Sequence, residues 1–291
     1  MMNDNRINWY PGHMAKARRV LEEQLSRSDL VIELCDARLP YSSRNPDLIK
    51  MIRGKKHLLI LNKSDLANDE ATGRWLSYFR QCGGLHAFAV CSNRIQKKRI
   101  VSLIEDEAKD LIENAAARGI RKTVRAMVIG VPNVGKSTFI NSLKGSTAAK
   151  TGDRPGVTKN TQWIRIHPYL ELMDSPGLLW PRLDDQKAAR KLCYIGTIKD
   201  DVLDLESLTI HLLNDLADTN PGSLEKRYHV SNPDLRGTDL LDAVCRGRGW
   251  LQKGNEYDYE RASHVVPDEF RAGQLGNITL EFPSLSEAEN D

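Results

Sequence analysis

Gly130-Val131-Pro132-Asn133-Val134-Gly135-Lys136-Ser137 has the spacing G-x-x-x-x-G-K-S, and its reading decides the fold. It follows an apolar run, Val124–Ile129, that reads as a buried strand, and it opens a stretch with a helical pattern. Glycines at both ends of such a loop let backbone N–H groups approach phosphate oxygens, and the N-terminus of the following helix adds a favourable dipole. Asn133, Val134, Gly135, Lys136, Ser137 and Thr138 are therefore candidate nucleotide contacts. Lys136 is placed to reach the β- and γ-phosphates, and the Ser137 hydroxyl to ligate Mg²⁺. Alone, the loop says only that a nucleoside triphosphate binds.

Three further apolar runs, Leu30–Cys35, His57–Leu61 and Ala87–Val90, each end where a polar motif begins. Continuous apolar runs are what strands covered on both faces of a parallel sheet look like, and ligands of such sheets collect at the strands' carboxyl ends. Helical patterns at Ala71–Gln81 and Ile100–Ala117 lie between them. Gln162–Ile166 and Tyr169–Met173, separated by His167-Pro168, predict a β-hairpin leading into Asp174-Ser175-Pro176-Gly177. The expected class is α/β.

Asn62-Lys63-Ser64-Asp65 selects the base. A carboxylate at Asp65 accepts both N1–H and the exocyclic amine of guanine, a donor pair that adenine lacks. Asn62 is expected to tie this loop to the phosphate loop, and Lys63 to pack along the base. Asp174-x-x-Gly177 supplies a carboxylate for Mg²⁺ and a glycine N–H for the γ-phosphate, and Thr158, in Gly156-Val157-Thr158, a second hydroxyl for the metal. Cys91-Ser92-Asn93 occupies a strand end from which the Ser92 N–H can meet the guanine carbonyl; a plain strand-to-loop turn is the other reading.

The order of these motifs, N-K-x-D before the phosphate loop, differs from that of ordinary small GTPases and marks a circular permutation. Trp9-Tyr10-Pro11-Gly12-His13-Met14-Ala15-Lys16-Ala17, Asp36-Ala37-Arg38-Leu39-Pro40, Gly247-Arg248-Gly249-Trp250 and Phe270-Arg271-Ala272-Gly273-Gln274-Leu275-Gly276 resemble the YlqF/RbgA branch of circularly permuted GTPases nearly end to end, with Tyr10 departing from the usual Phe. The resemblance implies a permuted P-loop GTPase domain with a small all-helical C-terminal domain, and a role in late assembly of the large (50S) ribosomal subunit with rRNA contacts. A GTPase switch in another RNA process, such as tRNA modification, is the alternative, disfavoured because no further catalytic domain accompanies the switch.

Leu178 stands where many GTPases carry a water-orienting Gln, so catalysis must be assisted from elsewhere. Asn133 lies in G-x-x-N-x-G-K-S, which resembles the loop of potassium-activated GTPases; it either helps hold K⁺ beside the phosphates or serves as a turn residue. The resemblance implies that His13 acts in hydrolysis once a ribosomal surface orders the N-terminal arm; an rRNA contact is the other reading. GTP, Mg²⁺ and K⁺ are the expected cofactors.

The domains expected are an N-terminal arm over residues 1–25, the permuted GTPase domain over 26–204 and a helical RNA- and ribosome-binding domain over 205–291. Helices are predicted at Val202–Ala217, from Thr238 as N-cap through Val244, and at Tyr257–Val265, with breakers at Asn220-Pro221-Gly222 and Asn232-Pro233-Asp234 and a frayed acidic end. Because the segment after Gly177 leads into the helical domain, a nucleotide-dependent shift there would reorient it.

The net charge of +3 conceals an asymmetry. Residues 211–291 hold eight Lys/Arg against fifteen Asp/Glu, so the basic excess lies in the first 210 residues. That suits a polyanionic partner such as rRNA, as do Lys16–Arg19, Lys97–Arg99 and Arg118–Arg125, although solvated helix faces give similar clusters. Five cysteines without a C-x-x-C pair argue against a zinc or disulfide framework and for a reducing cytoplasm. No signal-peptide core or membrane-length apolar window is present, so no membrane is expected as partner. DNA is not expected either, and a monomer is.

Overall fold

The computed structural model describes residues 11–92, 94–144, 163–175, 177, 179 and 185–283, apart from the side chains of 11–17 and 82–83. Its centre is a six-stranded sheet of β1 (Leu30–Asp36), β2 (Lys56–Asn62), β3 (His86–Val90), β4 (Val124–Ile129), β5 (Trp163–His167) and β6 (Leu170–Asp174), in the order β3-β2-β1-β4-β6-β5. All pairings are parallel except the β5–β6 hairpin at one edge. The four apolar runs and the hairpin are thus strands, as their composition predicts.

The central strand β1 is almost wholly apolar and buried along its length because both sheet faces are covered. Leu30, Ile32 and Leu34 of β1 point into a core shared with Ile104 and Phe139, whereas Cys35 packs on the other face with Trp75 and Phe79. Glu33, in mid-strand, is the exception. Burial pushes its carboxyl up, but Arg44, with Nη2 at 2.9 Å from Oε2, and His57 at 3.0 Å outweigh this and hold it at about 2.

Around the sheet lie α1 (Pro11–Ser26), α2 (Pro46–Met51), α3 (Asp69–Gly83), α4 (Lys97–Glu107), α5 (Lys109–Ala116) and α6 (Lys136–Lys144). Asn45 and Asn68 cap α2 and α3 through their side chains. The helix expected over Ile100–Ala117 is two, α4 and α5, kinked at Ala108. The hydrogen bonds Ala108 N–H to Ile104 and Ile112 N–H to Ala108 run through the kink.

After the hairpin the chain is helical: α7 (Gln186–Tyr194), α8 (Leu205–Thr219), α9 (Pro221–Tyr228), α10 (Gly237–Arg248) and α11 (Tyr259–Arg271). Two local expectations need correction. Asn220-Pro221-Gly222 ends α8 but also starts α9, because proline at the first helical position lacks only an N–H that would have no partner there. Thr238 lies inside α10, whose N-cap is Arg236. After α11, residues 277–283 run back toward the sheet as a strap; the acidic end expected to fray lies outside the described residues. Ile278 N–H donates to Leu66 O and Leu280 N–H to Arg38 O, both at 3.0 Å, and Ile278 and Leu280 are buried.

Candidate functional site

The carboxyl ends of the parallel strands bring the motifs together. Asp36 ends β1 and pairs in register with Asn62, which ends β2 and pairs with Val90; Asp174 ends β6 beside Val128 of β4. Sheet order reverses at β1 and β4, the switch point at which open α/β sheets bind ligands.

The phosphate loop starts directly after β4. Gly135 has φ +95°, and an added Cβ would fall 2.6 Å from Asn62 Nδ2, so glycine here serves both the turn and the approach of Asn62. Asn133 is also left-handed, at φ 63°, a conformation that asparagine tolerates. Val134 is buried, and Gly135 and Ser137 are half-buried. Lys136 is buried, with Nζ donating to Gly130 O at 3.1 Å and Val131 O at 2.9 Å. Burial pushes its ammonium down to about 8, against the opposing pull of Asp174. Ser137 Oγ donates to Asp174 Oδ2 at 2.5 Å, so a hydroxyl and a carboxylate stand side by side. Oxygen donors so placed suit a small hard cation such as Mg²⁺. Thr138 is exposed on α6, and Gly177 lies against the loop, where a Cβ would meet Pro132 Cα and N at 2.8 Å.

The base loop is bonded to the phosphate loop twice. Asn62 Nδ2 donates to Val134 O at 2.8 Å, and Lys63 Nζ to Asn133 O at 2.7 Å. The turn after β3 closes on the same loop: Ser92 N–H donates to Asp65 Oδ1 at 2.7 Å, and Ser64 Oγ lies 3.4 Å from Cys91 Sγ. Asn62, Lys63, Ser64, Asp65, Cys91 and Ser92 are therefore assembled with the phosphate loop, while Asn93 lies outside the described residues. So do Thr158 and Leu178. His13 lies in α1, but its side chain is not among those described.

One contact reaches from the phosphate loop to the helical segment: Asn133 Nδ2 donates to Gly196 O just after α7. Within that segment Arg271, at the end of α11, donates to Cys193 O at 3.1 Å and Tyr194 O at 3.0 Å, closing α11 on the end of α7. Arg38 also reaches α11. Its buried guanidinium pairs with Asp36 and donates through Nη1 to Phe270 O at 2.9 Å. In the sequence, Asp36 and Arg38 stand out only as part of the motif that carries the family resemblance. The signal for one is a charged pair directly after an apolar strand.

A phosphate-loop motif hydrogen-bonded, at a sheet's switch point, to the loop carrying Asn62–Asp65 is the arrangement of a P-loop GTPase. The 50S ribosome-binding GTPase family model matches residues 125–229. Among relatives, Ribosome biogenesis GTPase A of Bacillus cereus is 42% identical over 279 residues, covering 95% of this chain and 94% of that protein. That of Priestia megaterium is 40% identical, covering 97% of this chain and 98% of that protein. A GDP-bound YlqF structure aligns with a TM-score of 0.68 at 23% identity, covering 91% of this chain and 99% of that one; this likeness speaks for the fold. The chain belongs to the ribosome biogenesis GTPase A family and is a GTPase.

Proposed function

We propose that this chain is a nucleotide-dependent switch that hydrolyses GTP while assembling the large ribosomal subunit, binding pre-ribosomal particles and their rRNA. The observation that carries the nucleotide part is the pair of hydrogen bonds between the base and phosphate loops. The ribosomal part rests on the names of the relatives.

In this reading Asp65 accepts the guanine donors, Asn62 fixes the base loop, Lys63 lies along the base, and Ser64, Cys91 and Ser92 complete the base pocket. Lys136 neutralises phosphate charge, with Val134, Gly135, Thr138 and Gly177 contributing the surrounding loop contacts. Ser137, Asp174 and Thr158 hold Mg²⁺, which when bound supplies charge stabilisation to the transferring phosphoryl group. Asn133 helps hold K⁺ beside the phosphates, and His13 orients water once a ribosomal particle orders the arm. Hydrolysis is then slow alone and stimulated by the particle. Turnover equal in sodium and potassium buffers would count against the Asn133 role, and equal particle-stimulated rates in wild type and His13→Ala against the histidine.

The proposed protein is a cytoplasmic monomer with a circularly permuted GTPase unit over residues 26–204 and a helical ribosome-binding unit over 205–291. No described helix is long and apolar enough to cross a membrane. Basic clusters such as Lys97–Arg99 contact rRNA phosphates, with an affinity that falls as salt rises. Co-sedimentation with purified large subunits tests the whole: binding should differ between GDP and a non-hydrolysable GTP analogue, and no binding with either contradicts it.

A further inference from the structure

Asp36 and Arg38 form a buried ion pair where β1 meets the nucleotide loops, and nothing in the GTPase chemistry above uses it. Arg38 Nε donates to Asp36 Oδ1 at 2.9 Å and Nη2 to Oδ2 at 2.8 Å, a fork-to-fork geometry. The remaining edge of the guanidinium is taken by Phe270 O at 2.9 Å and Arg271 O at 3.3 Å, and its carbon lies 5.0 Å from the centre of the Phe270 ring. Held on three sides, Arg38 fixes the Asp36 carboxylate. Oδ2 of that carboxylate also meets Lys63 Nζ at 3.2 Å, and the same ammonium donates to Asn133 O. The chain of contacts runs from the phosphate loop through Lys63 and Asp36 to Arg38 and the end of α11.

We propose that Asp36 and Arg38 are positioning residues for the nucleotide, holding Lys63 across the two loops before GTP or GDP arrives. A lysine left to itself carries large rotamer freedom that binding must remove, at a cost to affinity. The Asp36 carboxylate removes that freedom in advance. Its charge is dependable: burial pushes its carboxyl up, but Arg38 and Lys63 hold it well below the usual carboxylate range. Because Lys63 lies at the base side, the effect falls on GDP and GTP alike. The same buried fork ties the end of α11 to this lysine, so the helical segment takes part in the positioning.

The inference rests on reading Asn62–Asp65 as the base loop, and a double-mutant cycle separates the two. Asp36→Asn keeps the shape and removes the charge. It should weaken GDP and GTP by about tenfold, the equivalent of one immobilised side chain, raising KM while kcat at saturating GTP is held. In a Lys63→Met background the same substitution should add no further loss, which a merely structural role would not reproduce. Where Asp36→Asn folds poorly, the apolar pair Asp36→Leu with Arg38→Met removes both buried charges together, an exchange that folds commonly tolerate. It should show the same loss of affinity. Either folded variant binding GDP as wild type does, or losing as much again in the Lys63→Met background, would overturn the inference alone. Lys63→Met with unchanged GDP affinity would overturn the base-loop reading, and the inference with it.

Discussion

Asn62 donates its side-chain amide to the carbonyl of Val134, 72 residues further along the chain, at 2.8 Å. Both groups are buried, so water cannot replace either partner at low cost. The bond makes the base loop and the phosphate loop one unit, although β1 separates β2 from β4 in the sheet. What the nucleotide meets is therefore set by the sheet and not by two independent loops.

Asn62→Ala leaves the Val134 carbonyl buried without this donor, a loss of about 1–3 kcal/mol. Isothermal titration should find GDP binding weakened by roughly ten- to a hundredfold if the loss falls on the bound state. GDP affinity equal to wild type would mean that the two loops bind independently.

Lys136 gives the site a pH dependence. Burial brings its ammonium down to about 8, from an ordinary value of 10.5. Phosphate oxygens beside Nζ favour the charged form, so the bound value lies above the unbound one. Above about pH 8 binding must then take up a proton, and affinity falls as pH rises; below it the lysine is charged in both states and the dependence vanishes. Titrations of GDP in buffers of differing ionisation heat at pH 9 should report proton uptake. Release, or no exchange, would contradict the assignment.

The C-terminal strap is anchored by Glu281. Its carboxylate accepts Tyr41 N–H at 2.8 Å, Ser42 N–H at 3.0 Å and the Ser42 hydroxyl, and Lys191 Nζ lies 3.5 Å away. Glu281→Ala removes these charge-assisted bonds at once and should lower stability by about 2 kcal/mol. Thermal unfolding should show a Tm several degrees lower; an unchanged midpoint would show that the apolar burial of Ile278 and Leu280 suffices to hold the strap.

The strands, and the meeting of the two motif loops at their carboxyl ends, were legible because each parallel strand is a largely apolar run ending in a polar motif, as at Ile60-Leu61-Asn62. The strap was not. Residues 277–283 show no periodicity in sequence, and their backbone hydrogen bonds go to Leu66 and Arg38 far upstream. Arg38 was legible as part of a motif but not as a link, because the carbonyl it meets is 232 residues away. The start of α9 was hidden by Pro221, which reads equally as the end of one helix or the first turn of the next. The roles of Thr158 and Leu178 fall on residues outside those described, and that of His13 on a side chain outside them.

Asp65 offers the most direct measurement of the claim that these loops form one guanine-selecting site. Asparagine in its place turns one acceptor into a donor, which suits the 2-oxo group of xanthine and opposes the 2-amino group of guanine. Competition between GDP and xanthosine diphosphate should favour GDP by orders of magnitude in the wild type and reverse in Asp65→Asn. A folded Asp65→Asn protein that still prefers GDP would contradict the account.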